Sequence, residues 1–139
     1  MSNSTRLMSG IILLTVPTIQ YGGYFLLQLL SGVGPDLELT EFQSSMFRAG
    51  HAHAGVLVLL SLIIQPLCDY ARLPAGLVWS VRIGFPLAAV LVSGGFFGAA
   101  TGAQITEPTG LIAILYTGVV VLAMVLITLG IGLVRKQAN

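Results

Sequence analysis

His51 and His53 are the only histidines of the chain. They stand in the segment Phe47-Arg48-Ala49-Gly50-His51-Ala52-His53-Ala54-Gly55, directly ahead of the largely apolar run Val56 to Ile64. An imidazole inside so hydrophobic a stretch is costly to bury and is normally retained to bind something. Helix positions two apart point ~200° away from each other, so His51 and His53 look out of opposite sides of one helix. The pair is ill suited to gripping one small ion and well suited to serving two partners, one per side.

Copper or zinc would want three or four donors from histidine, cysteine or carboxylate. The acids of this chain lie at helix ends, and the lone Cys68 sits ~22 Å along the helix from His53. A heme asks for less, because its porphyrin supplies four donors and the protein only one or two axial imidazoles. Gly50, Ala52, Ala54 and Gly55 leave room beside a ring. Arg48, one turn outward of His51, could meet an anion such as a propionate, or snorkel to the outer headgroups. With no Cys-x-x-Cys-His, the heme would be noncovalent, of the b type. The plainer alternative for either histidine is a hydrogen bond to a carbonyl or a tyrosine.

The elements that would position these residues follow from composition. At 139 residues, 55% hydrophobic and 8% charged, with a mean hydropathy of +0.94, the chain is too apolar for a soluble domain. It is expected to be an all-α integral membrane protein, a single domain of four transmembrane helices at about 7–32, 42–68, 77–102 and 109–134. Gly34-Pro35, Leu73-Pro74-Ala75-Gly76 and Glu107-Pro108 break the runs. The first run is long, carries Gln20 and Gln28 and has no clear cleavage site, so it is expected to be a retained helix. A net charge of +1 gives no case for nucleic acid as a partner. Cys68 has no second cysteine to pair with and is expected to be an inert buried thiol. Arg6, Arg72, Arg135 and Lys136 mark the amino end, the second loop and the tail, against Asp36, Glu38, Glu41 and Glu107 in the first and third loops. Both termini are thus expected to be cytoplasmic.

Depth along the helices collects unusual residues in one layer. The histidines fall roughly 3 to 6 Å to the outer side of the middle of their helix. Gln20, Tyr24 and Gln28 form a stripe on the first helix with Tyr24 at the histidine level. Gly94, Gly98 and Gly102 repeat every four residues on the third, beside Ser93 and Gly95, and Tyr116 and Thr117 share this depth on the fourth. The glycine row suits close helix packing, and equally a flat floor for a planar macrocycle. The tyrosines suit interfacial anchoring or a buried hydrogen bond, and Pro17, Pro66 and Pro86 suit kinks. On the second helix Ser44, Arg48, Gln65 and Asp69 share the His51 side, and the side of His53 is otherwise apolar, so two different contact surfaces are expected.

The His51-Ala52-His53 pair in an inward-running membrane helix resembles the tenth helix of the catalytic subunit of heme-copper oxidases, where a His-x-His pair serves two hemes on opposite sides. The Arg48-x-x-His51 spacing is similar to the heme-ligand helix of the nitric oxide reductase and C-type oxidase branches. That subunit is built of three four-helix arcs in pseudo-threefold symmetry, with ligands on second helices. The resemblance implies that this chain is one stand-alone arc, that three copies form a twelve-helix homotrimer, and that neighbours sandwich heme b between His51 of one subunit and His53 of another. Two imidazoles per iron leave no open position, which favours electron transfer. No third histidine is present for a copper site, so oxygen reduction is not implied. The resemblance places the chain in a bacterial or archaeal cytoplasmic membrane. Cofactor-binding residues are then His51, His53, Arg48, Gly50, Gly55, Tyr24, Gly94 and Gly98, with His51 and His53 as metal ligands. The competing expectations are a small transporter or channel with histidine proton relay past Gln20, Tyr24 and Gln28, and an accessory subunit docked through its glycine row.

Overall fold

The structure is a computed structural model that describes residues 1–32 and 38–135. The expected break at Gly34-Pro35, Asp36 and Lys136 lie outside the described residues. The described chain is four helices: α1 (Asn3–Leu30), α2 (Glu41–Cys68), α3 (Ala75–Ala99) and α4 (Ile112–Val134). Each is long and apolar enough to cross a bilayer, and no strand occurs among the described residues.

Local chemistry sets the helix ends and explains where they differ from the hydropathy boundaries. α1 begins at Asn3 rather than residue 7 because the Ser2 hydroxyl accepts from the Thr5 N–H. Thr40 and Gln43 form a reciprocal capping box at the start of α2. α3 stops at Ala99 rather than running to 102, since Gly102 and Gln104 take positive φ values of 128° and 53° and turn the chain out of the helix. The connection from 100 to 111 then folds over the start of α2. Gln43 Nε2 donates to the carbonyls of Ala100 and Gly102 at 3.0 and 2.9 Å, and the Thr40 hydroxyl donates to the Ile105 carbonyl. The Thr109 N–H donates to the Ala99 carbonyl at 2.9 Å, which delays α4 until Ile112. Pro17, Pro66 and Pro86 lie inside α1, α2 and α3.

Consecutive helices pack on one another and distant ones barely touch, so the chain is an open arc rather than a closed bundle. Its core lies between α2, α3 and α4, around the fully buried Phe85 with Leu57, Ile64, Val92, Val125 and Leu129. Close approach of α3 and α4 requires glycine. A Cβ on Gly118 would meet the Val92 backbone nitrogen at 2.7 Å, one on Gly84 would meet Val125 at 2.7 Å, and one on Gly95 would overlap the backbone of Leu115. α1 is peripheral: 11% of its apolar window is buried, against 22–33% for the other three.

Both described ends of the chain gather at one face. Ser2 bonds Asp69 at the end of α2, and the Arg72 guanidinium donates to the Arg135 carbonyl at 2.6 Å. Arg6, Arg72 and Arg135 thus lie on one face. Glu38, Glu41 and Glu107 lie at the other, where the Glu38 carbonyl accepts from Gln104 Nε2 at 2.8 Å. Large aliphatic side chains are exposed between the two faces, among them Leu14, Val90, Val120 and Ile127.

Candidate functional site

His51 and His53 leave α2 in different directions, as helical geometry demands. His51 is half-buried against α1. A Cβ added to Gly23 would lie 2.8 Å from both Cε1 and Nε2 of its imidazole, so the ring occupies space that only a glycine leaves open. It also lines a cleft of about 520 Å³ between α1 and α2, together with Gln20, Ala52 and Gly55. His53 is exposed on another side of the helix, its ring tilted on Phe96 of α3 at a centroid distance of 4.8 Å. Its Nδ1 is 2.8 Å from the Ala49 carbonyl one turn back. A carbonyl only accepts, so Nδ1 is the donor and Nε2 is the ring nitrogen left for a metal, the usual arrangement of a metal-ligating imidazole.

The other expected site residues separate into those that join the histidines and those that do not. Gly55 is open, with nothing within 4 Å of an added Cβ, and it stands in the His51 cleft. Gly50 is buried instead under α3, where a Cβ would meet the ring of Phe97 at 2.9 Å. Gly94 lines a different groove, between α1, α2 and α3, and a Cβ added to Gly98 would lie 3.4 Å from Leu111. The glycine row therefore divides between two surfaces. Tyr24 is 60% exposed and does not line the His51 cleft; its neighbour Gly23 takes the contact. Arg48 is exposed, one turn outward of His51. On α2, Gln65 does not share the environment of His51, since its side chain is fully buried against α3. Leu57 and Ile64 of α2 belong to the core.

Sequence reasoning gave no role to Arg82. It lies inside α3, is 3% exposed, and forms the one ion pair among the described residues, Nη2 to Asp69 Oδ1 at 2.6 Å. Its Nη1 donates to the Thr5 hydroxyl at 2.9 Å and the Gln65 carbonyl at 3.0 Å, and Gln65 Nε2 donates back to the Arg82 carbonyl at 3.1 Å. Asp69 also accepts from the Ser2 hydroxyl at 2.7 Å and the Ser2 N–H at 3.1 Å. The Ser2 hydroxyl first of all, with further help from the Ser2 amide, Thr5 and Arg82, holds this carboxyl well below the usual carboxylate range. The available signal was a single arginine inside an apolar run with an aspartate just before it. Such a residue in a membrane span nearly always has a partner. The network ties the start of α1 to α2 and α3, and none of its fully buried side-chain polar atoms lacks a partner.

Among the described residues no three of His, Cys, Asp and Glu converge, and the donors that remain are single imidazoles. Compared with known protein families, with curated proteins and with solved structures, the chain matches none.

Proposed function

We propose that the protein is a membrane b-type heme protein in which His51 and His53 are axial ligands to two different hemes, shared between neighbouring copies of the chain. The observation that carries this reading is the unlike preparation of the two imidazoles. One lines a mostly aliphatic cleft with Ala52 and Gly55 beside it, and the other is held through Nδ1 with Nε2 unpartnered on an exposed helix face. When bound, a heme would supply one-electron chemistry, and two imidazoles per iron would direct it to electron transfer. The chain's own part is to orient the rings, through the Ala49 carbonyl and Phe96 for His53 and through Gly23 for His51, and to exclude water with aliphatic walls. Ala52 and Gly55 leave the cleft floor open, and Arg48 offers a cation one turn outward. Gly50 and Gly98 serve packing in this reading, and Gly94 borders a separate groove.

The likeness to one arc of a heme-copper oxidase supports a homotrimer of twelve helices, set in a bacterial or archaeal cytoplasmic membrane with both termini inside. The open arc leaves Val56, Leu59 and Ile63 of α2 exposed, while the exposed His53 leans on Phe96 of α3. The test is the oxidised and dithionite-reduced visible spectrum of detergent-purified protein. Sharp reduced α and β bands are expected, and they are lost or altered in His51→Ala and in His53→Ala. Unchanged six-coordinate spectra in both variants would overturn the assignment.

A second reading draws on the shared cleft of Gln20 and His51, which suits a proton relay in a small transporter or channel. Colourless protein whose proteoliposome proton flux vanishes in His51→Ala would favour it over heme.

A further inference from the structure

The loop that joins α2 to α3 locks onto the last turn of α4. The Arg72 N–H donates to the Gly132 carbonyl at 2.8 Å, and the Arg72 guanidinium Nη1 donates to the Arg135 carbonyl at 2.6 Å. Leu73 fits beside them, its Cγ 2.6 Å from where a Cβ on Gly132 would be. Part of this is helix capping, because the last carbonyls of α4 have no partner within the helix. Capping takes one of the five N–H donors of the guanidinium and fixes where the others stand. The Arg135 side chain leaves from the same residue whose carbonyl Arg72 holds, so the fold brings two guanidinium groups to one place.

Among the described residues no carboxylate meets them. Both arginines are exposed, and the one ion pair belongs to Arg82 and Asp69. Asp69 is the only acid between Glu41 and Glu107 in the sequence, and it is engaged by Arg82, Ser2 and Thr5. Two like charges held together gain from an anion between them. Their surroundings say which kind. Leu77, Leu133 and Val134 expose aliphatic side chains at this end of α3 and α4, and Tyr70 and Trp79, 77% and 40% exposed, flank the loop in sequence. Aromatic side chains so placed mark the headgroup level of a bilayer. Phosphate oxygens suit the guanidinium fork, and acyl chains suit the aliphatic wall beside it.

We infer that Arg72 and Arg135 bind the phosphate of an anionic phospholipid, one with no cation in its own head to compete, whose acyl chains lie on the aliphatic surface of α3 and α4. This site is independent of the histidines and goes beyond the heme reading.

The probe is phosphatidylglycerol, titrated into the detergent-purified full chain and read by native mass spectrometry against phosphatidylcholine of the same acyl composition. Phosphatidylglycerol is expected to bind roughly tenfold tighter. Arg72→Gln and Arg135→Gln should each weaken it roughly threefold to fivefold, leave phosphatidylcholine unaffected, and together remove the preference. Arg135→Gln keeps the backbone carbonyl that Arg72 caps, so its melting temperature in plain detergent should match wild type and its effect is not that of a lost cap. Arg6→Gln removes the same charge from the same face, but on α1 at the opposite end of the arc, and should leave the affinity unchanged. No preference for phosphatidylglycerol, or no effect of Arg135→Gln, would overturn the inference. So would equal losses in Arg6→Gln and Arg72→Gln, the mark of diffuse surface charge, or complete displacement of the lipid by inorganic phosphate, the mark of a site for a soluble anion.

Discussion

Gly23 is the residue whose replacement most directly reports on His51. With the imidazole 2.8 Å from where its Cβ would be, Gly23→Val must displace the ring or separate α1 from α2. If His51 is an axial ligand, the variant should shift the reduced α band or lower heme content while Tyr24→Phe, on the exposed side, changes neither; a spectrum indifferent to Gly23→Val would count against His51. Asp69 makes a second statement at this scale. Its carboxyl is depressed in the fold by the Ser2 hydroxyl and its other donors. Its stabilisation is therefore complete above the ~3.9 of an unfolded aspartate, declines below that, and vanishes only under the depressed folded value. Asp69→Asn should melt lower than wild type at neutral pH, and the gap should close on strong acidification. The neutral-pH loss should stay under the ~3–5 kcal/mol typical of breaking a fully buried pair, because the Asp69 side chain is 21% exposed and partly wet.

At the level of the elements, α3 is the helix on which the others depend. It shares the core with α2 and α4, carries Arg82, and meets α4 backbone to backbone at Gly95 and Gly118. Gly118→Leu should force the two helices apart at a cost of about 1–3 kcal/mol, the usual penalty of overpacking, read as a lower melting temperature in detergent. The same substitution at Gly130, where nothing lies within 4 Å of an added Cβ, should be neutral. Of the repeated glycines, the sequence pattern conveys that close approach is possible, but not which neighbour exploits it. Gly98 meets Leu111 and Gly94 faces a cavity, because crossing angles and register between helices distribute the row among partners.

For the whole molecule the open arc is the governing feature, since it leaves α1 loosely attached and His53 of α2 exposed beside Phe96. If copies complete one another, light scattering of the detergent-purified protein should give a protein mass of three chains, and His53→Ala should lower the assembled fraction together with heme content; a monomer retaining full heme would refute shared ligation. Four membrane helices were legible in the sequence alone, because crossing ~30 Å of hydrocarbon demands long apolar runs whatever their packing. The divergence of His51 and His53 was legible too, since helical periodicity sets it without any neighbour. The tertiary structure alone decided that Gly23 rather than Tyr24 meets His51 and that Arg82 is held by Asp69, Thr5 and Gln65. Those outcomes depend on how helices rotate and slide against one another. In an apolar chain that rotation is chosen by side-chain fit and by the few polar groups that must find partners, terms that one-dimensional hydropathy does not contain.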